Sequence, residues 1–137
     1  MRATSTLTGH ELDFVHNEAA FEGGGLYTLG TVDLDATGGS GSDFTYNRSG
    51  AGGALFVAAG GSATLRNAEF SENWLLPNAA HLSCGAAIHT QGALTINTGT
   101  ISNNEALLSP ASGRYGSAGG LCTVSYTHLR AHETRPY

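Results

Sequence analysis

Hydrophobic and polar residues alternate over short stretches of the chain and break at glycines, a period of two that belongs to strands and not to helices. Three stretches carry it in one register: Gly30-Thr-Val-Asp-Leu34, Gly61-Ser-Ala-Thr-Leu65 and Gly92-Ala-Leu-Thr-Ile96. Each starts with Gly and places aliphatics two and four residues later. A second pattern, FxxN, occurs at Phe14/Asn17, Phe44/Asn47 and Phe70/Asn73, with Ile101/Asn104 as its variant. In a third, two or three small residues run into an aliphatic one, ending at Leu26, Leu55, Ile88 and Leu121. FxxN and the small-residue motif alternate strictly, so the chain is an internal repeat with a period of about thirty residues.

Each repeat therefore contains three short strand registers separated by turns, which is what one coil of a parallel β-helix requires. Coils stacked about 4.8 Å apart bring equivalent residues into columns. The expected core columns are Leu26, Leu55, Ile88 and Leu121; Leu34, Leu65 and Ile96; and Phe14, Phe44, Phe70 and Ile101. Gly24, Gly53 and Ala86 are expected where the backbone turns closely. Asn17, Asn47, Asn73 and Asn104 are expected to form a structural amide ladder at a bend, since Asn tolerates left-handed geometry. Leu34 precedes Phe44 by ten residues where Leu65 precedes Phe70 by five, so the Gly-Gly-Ser-Gly-Ser stretch reads as a loop insertion.

FxxN alternating with GGA followed by Ile, Leu or Val resembles the repeats of chlamydial polymorphic outer-membrane proteins and similar bacterial and protist surface proteins. The resemblance covers Phe14 to Leu121. It implies an all-β fold, a right-handed parallel β-helix solenoid fragment of about four coils. It also implies an adhesin-like or structural passenger segment of a secreted or cell-surface protein, located outside the cell or on its outer surface. A leucine-rich-repeat-like solenoid is the alternative, because LxxN repeats share the spacing, but those need a helical segment in every repeat.

The end of the chain changes how much of it enters this reading. Residues 124–134, VSYTHLRAHET, have a reverse translation that reproduces a transposon-type sequencing adapter. Residues 1–123 are accordingly taken as the repeat region, truncated from something longer, and residues 124–137 as an adapter-derived, disordered tail. Composition narrows the partners. All six basic residues are Arg, against eleven acidic ones in 137, which leaves no polybasic patch for nucleic acid or an anionic membrane. No stretch is apolar enough for a membrane-spanning helix. A glycan or a host or cell-surface protein is the expected partner class, and no membrane insertion is expected of this fragment.

Candidate chemistry is sparse, and no catalytic, cofactor-binding or metal residue is expected. Tyr27, Phe56 and His89 each follow a core aliphatic and are expected to face outward as an aromatic binding surface. The other reading of that column is that the long connections after Trp74 and Glu105 cover it. Gly38-Gly39-Ser40-Gly41-Ser42-Asp43 fits the start of a calcium-binding nonapeptide, giving Asp43 as a calcium candidate against the plainer loop insertion. Asp33 and Asp35 share a strand face, and Asp35, Arg66 and Asn97 share an outward column, which reads as an ion pair or as part of a polysaccharide-active site in a lyase or glycoside hydrolase. Cys84 and Cys122 occupy different columns, so the repeat implies no disulfide. Asn47-Arg48-Ser49 is a glycosylation sequon, but Asn47 belongs to the ladder.

Overall fold

The computed structural model describes residues 5–76, 85–106, 120–123 and 128–133. Among them the chain is all-β without a helix, and every strand pairing is parallel. The first passage of the chain supplies β1 (Thr6–Gly9), β2 (Asp13–Val15) and β3 (Leu26–Thr28). The second supplies β4 (Thr31–Asp35), β5 (Ser42–Thr45), β6 (Arg48–Ser49) and β7 (Leu55–Val57). The third supplies β8 (Ser62–Ser71), β9 (Trp74–Leu75) and β10 (Ile88–Thr90). The fourth supplies β11 (Ala93–Ser102), β12 (Glu105–Ala106) and β13 (Leu121–Thr123), and β14 (His128–Glu133) follows.

These strands form three sheets. The first runs β1-β4-β8-β11-β14, with β2 against β5 and β5 against β8; the second runs β3-β7-β10-β13; the third runs β6-β9-β12. From β4 onward the chain visits the first, third and second sheets in a fixed rotation, and neighbours within a sheet come from successive repeats. Three or four strands in each repeat and no helix among the described residues speak against the leucine-rich-repeat alternative.

The apolar residues line up in register across these sheets. Leu26, Leu55, Ile88 and Leu121 pair in sequence, as do Leu34, Leu65 and Ile96, and Phe14, Phe44, Phe70 and Ile101. Leu7, Val32, Ala63 and Leu94 add a further column. The middle members of these columns are fully buried, while Leu7, Phe14, Leu26 and Leu121 pack at the periphery. Burying each large apolar side chain contributes about 1.5–3 kcal/mol. The Phe rings stack at centroid distances of 4.6 and 4.4 Å, with planes 10° and 9° apart, so ring spacing follows the strand spacing of about 4.8 Å.

The insertion falls where the spacing places it. Asp35 pairs with Arg66 and Ser42 with Ala68, so residues 36–41 occupy the place that Asn67 alone fills one repeat later. Asn67 holds this loop by donating from Nδ2 to the carbonyls of Ala36 and Gly39, at 3.1 and 3.2 Å.

Left-handed backbone recurs in three columns, with Gly38 and Gly60 outside them, and in different places from those expected. One column is Gly23, Gly52 and Gly85, at φ of 61°, 59° and 72°. A second is Glu11, Gly41, Asn67 and Thr98, and a third is His16, Tyr46, Glu72 and Asn103. The ladder asparagines are therefore not the left-handed residues; the residue before each of them is. Likewise the turn lies one residue ahead of Gly24, Gly53 and Ala86. A Cβ on Gly53 would instead run into the Ala86 carbonyl of the next repeat, so its smallness serves close approach. The first left-handed column is all glycine, because a Cβ on Gly52 would overlap the Leu55 carbonyl oxygen, while the other two carry side chains at every described position but Gly41.

Residues 128–133 form β14, with Thr95 opposite His128 and Ile96 opposite Leu129. Strand β11 offers an unpaired parallel edge, and the alternating 128–133 segment satisfies its backbone groups. The rest of the tail lies outside the described residues.

Glycine substitutions separate the two costs of left-handed backbone. Gly52→Ala should destabilise by about 2 kcal/mol or more, because strain and carbonyl overlap add. Gly38→Ala, where φ is +80° and nothing lies within 4 Å, should lose only about 1 kcal/mol. Urea denaturation of both variants reads the difference.

Candidate functional site

The FxxN motif explains itself in hydrogen bonds. Asn73 Oδ1 accepts from the backbone N–H and the Nδ2 of Asn47, at 2.9 and 3.1 Å. Its own Nδ2 donates to Asn104 Oδ1 at 2.9 Å and to the carbonyl of Phe44 at 2.7 Å. Asn47 repeats the pattern, accepting from Asn17 and donating to Asn73 and the Phe14 carbonyl. Asn104 likewise donates to the Phe70 carbonyl. Asn47 and Asn73 thus tie their own repeat to the Phe backbone of the repeat before and to the Asn of the repeat after. Asn47, Asn73 and Asn104 are buried and Asn17 is exposed. The amide of the Asn47 sequon is fully engaged in this network.

The residues flanking the ladder line an outward groove, which Asn17 also borders. Left-handed backbone at His16 and Tyr46 turns their side chains away from the core, where the rings stack at 4.9 Å with planes 5° apart. The residues just after the ladder asparagines form the opposite wall: Glu18 is opposite Arg48, and Arg48 opposite Trp74. Arg48 bonds Glu18 Oε2 through Nη2 at 2.6 Å and through Nε at 2.7 Å. The groove encloses about 250 Å³ and also touches Asn17 and Glu72. Tyr46 is 51% exposed and Trp74 40%.

The expected aromatic surface is mostly interior. Tyr27, Phe56 and His89 do stack, at 5.4 and 4.6 Å, but Phe56 and His89 are only 3% and 7% exposed and Tyr27 alone, at 43%, reaches solvent. Their side of the second sheet is therefore not an open binding face. The connections named as its alternative cover, 77–84 and 107–119, lie outside the described residues.

The acidic residues are placed as follows. Arg66 stands opposite Asp35 in register, yet its guanidinium bonds the diagonal Asp33, at 2.6 Å. Asp35 instead accepts from Thr37 N–H at 3.0 Å, and the Thr37 hydrogen bonds hold its carboxyl below the usual 3.8, with Arg66 and His10 assisting. Asp13, Asp43 and Glu69 form one cross-strand column. Partial burial, then Glu69, then Asp13 push the Asp43 carboxyl above its usual value. In the loop ahead of Asp43, Ser40 donates its N–H to Glu11 Oε1. Among the described residues no three His, Cys, Asp or Glu side chains are grouped to hold a metal ion, so the calcium candidate Asp43 sits among carboxylates without a formed cage. Cys122 is disulfide-bonded, although the repeat spacing implied no bridge; the one other cysteine in the sequence, Cys84, lies outside the described residues.

No protein-family model, no curated protein and no solved structure matches the chain.

Two measurements probe these networks. Asn73→Ala strips four side-chain bonds and leaves the buried Asn47 N–H unpaired, an expected loss of about 2–4 kcal/mol; Asn17→Ala, at the exposed end, should lose less than about 1 kcal/mol. Equal losses would contradict a buried ladder. Because the folded Asp43 pKa is raised, the unfolded chain ionises first, and stability falls as pH climbs from 3.8 through the folded value. Asp43→Asn should therefore stabilise at pH 7 by a few tenths to about 1 kcal/mol. The gain should vanish at pH 3 in denaturation curves.

Proposed function

We propose that the chain is a segment of about four coils of a right-handed parallel β-helix, acting as an adhesin-like or structural passenger of a secreted or cell-surface repeat protein. The observation that carries this reading is the rotation of the chain from β4 onward through three parallel sheets in a fixed order, first, third and second. Parallel crossovers in proteins are overwhelmingly right-handed, which supplies the hand. The resemblance to polymorphic outer-membrane protein repeats rests on the same Phe and Asn residues that build the ring stack and the amide ladder. A disulfide at Cys122 favours an oxidising setting, in keeping with a location outside the cell or on its outer surface. Residues 124–134 are read as adapter-derived, which leaves 1–123 as the repeat region.

Such a fold presents fixed outward columns without needing a catalytic centre, and partners of the glycan or surface-protein class suit the groove. A second reading, a fragment of a polysaccharide-active lyase or hydrolase, is favoured by one observation: the Asp13, Asp43 and Glu69 column with its raised Asp43 carboxyl. Paired carboxyls with separated pKa values are how such enzymes divide acid and base roles.

Incubation with polygalacturonate, alginate and neutral glucans separates the readings. The passenger reading expects no new reducing ends and no unsaturated products, while beads coated with surface glycans retain the protein saturably. Turnover that Asp43→Asn abolishes would move the function to the enzyme class.

A further inference from the structure

We propose that the groove between the His16–Tyr46 ring stack and Trp74 is a binding subsite for a neutral pyranose sugar; this deepens the adhesin-like reading and rests on it. The rings lie on two sides of one recess. His16 and Tyr46 stack at 4.9 Å with planes 5° apart, each covering one face of the other, and Tyr46 and Trp74 keep about half and two-fifths of their surface in water. Exposed Tyr and Trp rings accept the C–H face of a sugar ring, and they retain apolar area that only a ligand or partner can remove from water.

Hydroxyl recognition is also in place. The Glu18 carboxylate and the Arg48 guanidinium, locked together at 2.6 Å, offer an acceptor and a fork of donors on one wall, and Glu72 adds a second carboxylate. The Arg48 fork is pre-oriented, which lowers the ordering cost of binding. Two carboxylates against one guanidinium leave the recess with excess negative charge, which disfavours uronates, sialates and phosphates. At about 250 Å³ the recess falls below the 300–1,000 Å³ of sites for larger ligands, a size for one ring and not a long chain. At its border, Asn17 Nδ2 and N–H are both bonded to Asn47 Oδ1 at 3.0 Å, so that side is fixed to the next coil.

The chain contains one tryptophan, Trp74, so its intrinsic fluorescence reports on this groove without labelling. Titration with methyl β-glucopyranoside and with N-acetylglucosamine is expected to give a saturable change with a dissociation constant on the order of 1 mM. Tyr46→Asn, which suits the left-handed backbone at φ 55°, should weaken binding at least tenfold. Tyr27→Thr, which removes an exposed ring outside the groove, should leave it unchanged. Glucuronate should bind at least threefold more weakly than the neutral glucoside. Circular dichroism melts on the same samples distinguish the levels of failure. A cooperatively folded β protein whose Trp74 ignores both neutral sugars overturns the subsite alone, as does equal weakening by Tyr27→Thr or glucuronate binding as tight as the glucoside. A chain without cooperative β structure overturns the subsite and the β-helix reading together.

Discussion

A buried amide must have every donor and acceptor met, and in this chain the ladder asparagines meet theirs chiefly through the asparagines and Phe carbonyls of neighbouring repeats. Asn47, Asn73 and Asn104 sit inside, out of reach of water as a substitute partner. The repeat length, the parallel sense of the strands and the one-residue precision of the register all follow from that requirement. A slip of one residue would carry the amides out of line and, because side chains alternate across a strand, turn the apolar columns outward. The Phe stack is the apolar counterpart of the same demand. Its carbonyls take the second Nδ2 hydrogen, so the two motif residues depend on each other through the backbone.

The bends divide the remaining residue types by what surrounds the missing or present Cβ. Where the turn folds back onto its own carbonyl, as at Gly52, only glycine fits. Where it opens to solvent, the left-handed position is free to carry His16, Tyr46, Glu72 or Asn103, and here the repeat varies most in chemistry. The scaffold thus separates into positions that stacking dictates and positions it leaves to recognition, and the groove is assembled from the second kind.

Much of this was legible in the sequence. The three apolar columns, the five-residue insertion before Phe44 and the stacked asparagines all follow from spacing, because each is a contact between identical residues one period apart. The left-handed positions were displaced by one residue, since Asn was credited with a bend that its neighbour makes; propensity is local, whereas the Asn side chain was already committed to the next coil. For Tyr27, Phe56 and His89 the sequence left open whether the column faces solvent or is covered, for a related reason. Alternation tells which side of a strand a residue occupies, not whether that side is later covered, and Phe56 and His89 are buried. The signal for His16, Tyr46 and Trp74 was nonetheless present: these are the residues that flank the ladder Asn, readable once repeats are aligned on it. Arg66 choosing Asp33 over Asp35 had no such signal, because a long side chain reaches diagonally.

Every rung of the amide ladder runs in the same direction, from the nitrogen of one coil to the oxygen of the following one. The stack consequently has a polarity, with unlike faces at its two ends. Two such stacks meeting by a two-fold axis would set oxygen against oxygen or nitrogen against nitrogen at the ladder. Only a head-to-tail contact continues it, so an association that extended the ladder would be heterologous, a ring or a filament and never a two-fold pair.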